Sequence, residues 1–228
     1  VYKRMRDEMI VLLKEANSVS VAQQAITKLI RLSQITSGFL GGVENLDGTP
    51  LPPQRISHEK LAVVMDLYTD LLASNPSLKL LIWSRFREEC EQIKSAIEKT
   101  NTAEVGILWG GSSNEERDHS LRLLHPKSAP SEAAVVVGTT ATGSMGINLV
   151  SAHHVIYVSN SHSLNTRVQS EDRTHRPGQI HAVSYYDVIA SGPEGQKTID
   201  HTILKSLRGR RSLADWTASA WIDALTQS

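Results

Sequence analysis

Ala133-Ala-Val-Val-Val137, running through Gly138 into Thr139-Thr-Ala-Thr-Gly-Ser-Met-Gly-Ile-Asn-Leu149, decides the fold class. A half-exposed strand alternates apolar and polar positions, and this run does not. It needs cover on both faces, which a parallel sheet between two layers of helices supplies. Outward from it, Leu78-Lys-Leu-Leu-Ile-Trp83, Val105-Gly-Ile-Leu-Trp109, Val155-Ile-Tyr-Val158 and the stretch from Val183 to Ile189 read as further strands. Helical patterns separate them. Residues 59–73 carry Leu61, Val64, Met65, Tyr68, Leu71 and Leu72 on one face, and Phe86, Cys90, Ile93 and Ile97 make the next stripe. Ser113-Asn-Glu-Glu116 has the capping-box pattern that opens a helix. Residues 164–176 and 194–208 also read as helices. Strand alternating with helix predicts an α/β layer with right-handed crossovers, whose chemistry sits on the loops at the carboxyl ends of the strands.

The flanks are helical. Residues 3–16 and 21–36 read as two helices, residues 45–57 with their glycine and three prolines as a loop, and a last helix starts near Ser212. The expected domains are therefore a helical segment and loop over 1–57, the sheet domain over 58–210 and a C-terminal helix over 211–228. With 24 basic and 24 acidic residues, a nucleic-acid surface has to be a local patch. The single Cys90 excludes an internal disulfide framework and reads as a packing residue. No apolar run is long enough to cross a bilayer, and no signal peptide precedes the first helix, so no membrane partner is expected. The chain opens on Val1, already inside a helical pattern, and is expected to be a piece of something longer.

Two segments carry chemistry. In the loop Thr139–Leu149, Gly143 and Gly146 permit close backbone approach, while Thr139, Thr140 and Thr142 offer hydroxyls to phosphate oxygens. The same composition also suits a strand-to-helix turn with no ligand. In Gln169-Ser-Glu-Asp-Arg-Thr-His-Arg-Pro-Gly-Gln179, helical spacing would put Arg173 and Arg176 on one face, near enough to engage one polyanion. Taken alone, an R-x-x-R beside Glu171 and Asp172 is a solvated, salt-bridged surface. There is no Walker A sequence and no acidic motif to hold magnesium, so these residues cannot build a complete ATP site. Neither His153-His154 nor any other histidine pair has metal-chelating spacing, and no metal site is expected. Trp83 and Trp109 read as core, and Arg208-Gly-Arg-Arg211 as a basic helix end or a phosphate contact.

Four segments in order, Leu80-Leu-Ile-Trp-Ser-Arg-Phe86, Gly110-Gly111 with Arg117, Thr139–Leu149 and Gln169–Gln179, resemble the C-terminal RecA-like lobe of the Swi/Snf family of superfamily 2 helicase-like ATPases. The resemblance runs from Arg31–Gly38 to Lys197–Asp200 and the helix after it. It implies a RecA-like parallel sheet flanked by helices, with extra N-terminal and C-terminal helices. It further implies ATP and Mg2+ as cofactors, held mainly by an N-terminal RecA-like lobe of the same protein, and double-stranded DNA as partner. By the same resemblance Arg173 and Arg176 would be arginine fingers, with Gln169 coupling nucleotide to lobe closure. Gly143 and Gly146 would form the nucleotide loop with Asn148 near the ribose. Ser84, Arg85, Gly110, Gly111, Thr139 and Thr140 would lie along the nucleic acid. Cytoplasmic location in a bacterium or phage-infected host follows, or nuclear location in a eukaryote.

The chain departs from the family pattern where many members carry Asp-x-x-Trp-Asn-Pro; here Ser159, His162, Ser163 and Leu164 stand at those places. The pattern points toward members from bacteria and phages and away from nuclear chromatin remodellers. Pro177 replaces a usual aliphatic residue. Two other readings stay open: a non-catalytic RecA-like module that binds nucleic acid or protein, and an RNA helicase lobe, against which Gly178-Gln179 speaks.

Overall fold

The apolar runs pair into one sheet, and the helical stripes cover it. The computed structural model describes residues 2–14, 19–41, 51–127, 129–142, 147–177, 179, 181–210 and 218–226. In chain order come helices α1 (Tyr2–Lys14) and α2 (Val19–Thr36), then two-residue strands β1 (Phe39–Leu40) and β2 (Gln54–Arg55). Helix α3 (Glu59–Ser74), β3 (Lys79–Ser84), α4 (Arg87–Glu98), β4 (Glu104–Leu108), α5 (Asn114–Leu123) and β5 (Ala134–Thr139) follow. The chain then runs through β6 (His154–Tyr157), α6 (Leu164–Glu171), β7 (Ser184–Asp187), α7 (Ile199–Arg208) and α8 (Ala218–Thr226).

The five-stranded sheet has the order β4-β5-β3-β6-β7. Every neighbouring pair in it is parallel, with Leu81 opposite Val136 on one side and Val155 on the other. Alternate residues serve opposite faces. Leu80, Ile82, Val135, Val137 and Ile156 pack against Val64, Tyr68, Cys90, Ile93 and Ile97 of α3 and α4. Leu81, Trp83, Val136, Val155 and Tyr157 pack with Leu123, Leu124, Ile147 and Leu149 on the other side. Trp83 and Trp109 are core residues, 0% and 8% exposed. Cys90 is buried, and that burial pushes its thiol up, out of reactive range. Strand β3 hands the chain towards β4 while its neighbour β6 hands it towards β7, so the carboxyl ends of β3 and β6 form the switch point of this sheet.

Contacts divide the chain into two compact units, Lys60–Val188 and Val1–Glu59 with Ile189–Ser228. The first is the sheet with its helices. Residues 189–210, which the sequence reading groups with the sheet, make their dense contacts within the second unit. There Asp200 accepts the Thr36 hydroxyl at 2.8 Å and the Ala190 N–H at 3.0 Å, and the Ile199 N–H donates to the Tyr2 hydroxyl at 2.6 Å. Gly38 has φ +80°, and a Cβ there would lie 2.5 Å from the Ser57 carbonyl oxygen, so the position requires glycine.

Three expectations change. The helix expected over 164–176 ends at Glu171. Beyond it Glu171 O still accepts the His175 N–H at 3.1 Å, but Arg173 O would have to bond Pro177, which has no N–H, and it accepts the Leu149 N–H at 3.0 Å instead. Residues 194–208 split into a 3-10 turn at Pro193–Gly195 and α7, because Thr198 is extended and begins the helix afresh. Within the expected loop 45–57, Gln54 and Arg55 pair with Leu40 and Phe39.

Gly138 sits where β5 meets both neighbours. A Cβ there would lie 2.6 Å from Leu108 O and 2.7 Å from the Trp83 ring. Gly138→Ala is expected to cost about 1–3 kcal/mol in urea unfolding, as overpacking does; an unchanged midpoint would contradict this packing. His153, His154 and His162 are each held below the ordinary histidine value of 6.5, first by burial, with His181 and His154 adding to the effect on His153 and Arg85 to that on His162. A histidine whose folded value lies below its unfolded value supports the fold above the unfolded value and loses that support as pH falls. Thermal midpoints are therefore expected to drop as pH is lowered through 6.5, and less steeply in His153→Gln.

Candidate functional site

The residues singled out in the sequence gather along the carboxyl edge of the sheet. Ser84 and Arg85 follow β3, Gly110 and Gly111 follow β4, Thr139 and Thr140 end β5, and Ser159 follows β6. The edge is held by one carboxylate that neither strand supplies. Glu89, on α4 and 3% exposed, accepts the Ser84 hydroxyl at 2.6 Å and the Ser159 hydroxyl through the same oxygen. Each of those hydroxyls accepts a backbone N–H in turn, Ser84 from Phe86 at 2.8 Å and Ser159 from Arg85 at 2.9 Å. Ser84 is fully buried; its hydroxyl shapes the turn beneath Arg85. The Arg85 guanidinium lies 5.5 Å over the Phe86 ring, and burial lowers its pKa.

Thr139 and Thr140 are buried at the mouth of the next loop, where Thr140 N–H extends the sheet to Ser84 O at 2.9 Å. The Thr142 hydroxyl reaches Leu108 O at 2.8 Å and Thr139 O at 2.6 Å, fastening the loop to the end of β4. Gly143 and Gly146 lie outside the described residues. Asn148 is half-buried, and its Oδ1 accepts the Val150 N–H at 3.3 Å. Gly110 is exposed with nothing within 4 Å of a built Cβ, and Gly111 is exposed at φ +91°. Arg87 covers the neighbouring Trp109 ring at 5.5 Å.

The arginine segment is a turn rather than a helical face. Arg173 is 7% exposed, and its Nε is buried without a partner. Burial first, and then the charge of Arg176, lowers the Arg173 guanidinium, while Asp172 opposes them. Arg176 is near enough for its charge to act on Arg173, but from a turn and not from the shared helical face that the spacing predicts. Gln169 is exposed on the last turn of α6.

Sequence reasoning missed the side chains that hold this turn. The Gln179 amide donates to Val150 O at 2.8 Å and Thr174 O at 3.2 Å. With the Leu149 N–H to Arg173 O bond, it staples the arginine turn to the end of the Thr139–Leu149 loop. Beneath it, Arg167 pairs with Asp187 at 2.5 Å, Asn160 at 2.7 Å and Glu171 at 2.6 Å, and stacks 3.5 Å over Tyr157. Burial works against that charge, but Asp187, Tyr157 and Glu171 outweigh it and hold the guanidinium above its ordinary range. The only hint in the sequence was the arginine at helical spacing ahead of Glu171.

Two adjacent guanidinium groups, one with an orphaned buried nitrogen, fit the oxygens of a phosphoryl group. Among the described residues, no three His, Cys, Asp or Glu side chains gather to hold a metal ion. Removing the staple should loosen one bond in particular. Gln179→Leu is expected to raise amide exchange at Leu149 by roughly tenfold, the worth of about one hydrogen bond, while amides in β3 and β5 stay protected. Unchanged exchange at Leu149 would deny Gln179 its bracing role.

Comparison with known proteins agrees with this geometry. The helicase conserved C-terminal domain model matches residues 59–178. The putative ATP-dependent helicase/translocase YwqA of Bacillus subtilis is 28% identical over 73% of the chain and 17% of its own length. A SWI/SNF-related matrix-associated actin-dependent regulator of chromatin subfamily A-like protein 1 from Xenopus tropicalis is 25% identical over 83% of the chain and 20% of its own length. The chain thus spans about a fifth of these relatives. Among solved structures, the Sulfolobus solfataricus SWI2/SNF2 ATPase core in complex with dsDNA superimposes with TM-score 0.64 at 23% identity, over all of this chain and 44% of that one. The C-terminal domain of that ATPase gives TM-score 0.60 at 22% identity, over 96% of this chain and 85% of the other. The fold is therefore RecA-like, and the chain belongs to the helicase conserved C-terminal domain family, with Swi/Snf-related ATPases among its relatives.

Proposed function

We propose that this chain is the second motor lobe of an ATP-dependent double-stranded-DNA translocase. The observation that carries the reading is the staple: the turn bearing Arg173 and Arg176 and the loop from Thr139 to Leu149 are joined by Leu149 N–H to Arg173 O and by the Gln179 amide. A phosphate-sensing turn and a loop on the nucleic-acid side that share hydrogen bonds can move as one body. The dsDNA in the related archaeal core supports the choice of partner.

ATP, with Mg2+, supplies the phosphoryl group to be transferred and is held on an N-terminal lobe of the full-length protein. Arg176 and Arg173 approach its γ-phosphate when the lobes close, and balance the charge that spreads over its oxygens. Arg173, buried and braced through its own carbonyl, keeps its position without reorganising. Gln169, exposed on the preceding turn, faces the closing surface. On the other side, Arg85, Gly110, Gly111, Thr139 and Thr140 line the track of the nucleic-acid backbone. Phosphate contacts carry no sequence information, as movement along DNA requires. Closing on ATP and opening after hydrolysis then shift the grip along the strand.

The test is DNA-stimulated ATP hydrolysis by the full-length protein. Arg176→Ala is expected to lower turnover by on the order of 10³-fold, the usual worth of an arginine finger, while nucleotide binding persists. The isolated 228-residue chain is expected to show no turnover. Robust hydrolysis by the isolated chain would overturn the two-lobe reading. A full-length wild type that binds DNA without hydrolysing ATP would make the chain a non-catalytic module.

A further inference from the structure

At the switch point between β3 and β6, two side chains from different loops each bury a nitrogen that has no partner: Arg85 Nη1 and His162 Nδ1. Both residues are only half-buried as a whole, so one side of each remains open to solvent. They are near enough for the charge of Arg85 to act on the imidazole. The turn between them is fixed, because Ser159 accepts the Arg85 N–H at 2.9 Å and is itself tied to Glu89. A guanidinium nitrogen and an imidazole nitrogen, each buried without a partner, are costly, and an anion that both side chains reach would relieve that cost.

The carboxylates attached to this same strand end are already engaged. Lys60 of α3 donates to Val158 O at 2.8 Å, Arg85 is bound through Ser159, and Arg167 of α6 donates to Asn160 at 2.7 Å. Against these stand Glu89 of α4, which takes two hydroxyls, and Asp187 of β7, which pairs with Arg167 at 2.5 Å. Glu171 of α6 also pairs with Arg167, at 2.6 Å, so three cations meet three carboxylates, all of them engaged within the fold.

We propose that Arg85 and His162 together form an anion site for a backbone phosphate of nucleic acid, and that His162 takes up one proton from solvent when the phosphate binds. The inference rests on the reading that this edge meets nucleic acid, and adds to it a residue and a dependence on pH. In the free chain, burial and then Arg85 hold His162 below the ordinary value of 6.5, so at neutral pH the ring is uncharged. A phosphate between the two groups reverses that balance: it shields Arg85 and favours the imidazolium. Binding then strengthens as pH falls, by at most about tenfold per pH unit for one proton.

The experiment follows the His162 ring by NMR in the 228-residue chain, assigned with His162→Gln, during pH titrations alone, with inorganic phosphate and with a short DNA duplex. Duplex affinity is measured in parallel between about pH 8 and about pH 6. The expected result is a His162 midpoint raised by the duplex, an affinity that grows as pH falls, and a pH-flat affinity in His162→Gln. In Arg85→Gln the midpoint of the free chain should rise, and the further rise with duplex should be lost. A shift with inorganic phosphate but none with duplex keeps the anion site and removes the nucleic-acid reading. Duplex binding with an unmoved His162 midpoint overturns the site while the proposed function stands. No shift and no binding with either probe ends both.

Discussion

Strand β3 lies between two parallel neighbours with both faces covered, so the backbone groups at its carboxyl end must be satisfied from within the fold. Ser84 is the first residue to meet that demand, and Glu89 is the answer. Its buried carboxylate collects the hydroxyls that close β3 and β6, and those hydroxyls collect the N–H groups of the turn that follows. A carboxyl group taken from water is costly, and hydrogen bonds from both strand ends offset the cost only if the two ends stay in register. The site-bearing loops leave the sheet from a platform fixed in this way. Loss of the carboxylate would remove a partner from two strands at once.

The sheet was legible because a parallel sheet must be written in nearly uninterrupted apolar residues. Ala134–Val137 and Leu80–Trp83 could serve no other purpose, and their helices were announced by stripes and by the Ser113 capping box, which the structure reproduces with Glu116. The edge strand was less clear. Ser184-Tyr-Tyr-Asp187 is only partly buried, and the apolar Val188 and Ile189 after it made the strand look longer than it is. The candidate loops were legible through their glycines, threonines and arginines, since those residue types have few other reasons to cluster.

What stayed hidden was the bracing. Local propensity carries a helix through Asp172 and Arg173 towards Pro177, which has no N–H to give the carbonyl of Arg173. What a single sequence does not show is that Leu149, far away in the chain, supplies the N–H which the carbonyl of Arg173 accepts instead. Gln179 reaches Val150 across 29 residues, and Ser159 reaches Glu89 across 70. Bonds of that span leave no periodic trace in one sequence. His162 was noticed as a departure from a family pattern, but its buried nitrogen beside Arg85 becomes meaningful only in three dimensions.

The division of the chain bears on how it is made. Residues 60–188 are continuous, whereas the companion unit is assembled from residues 1–59 and 189–228. Emerging from a ribosome, the sheet unit can close as soon as β7 has been synthesised. Helices α1 and α2 must wait, because Tyr2 and Thr36 bond to Ile199 and Asp200. The half of this unit that is made first therefore waits for the half made last, which leaves the apolar side chains Met9, Leu13, Leu29 and Leu32 exposed in the interval.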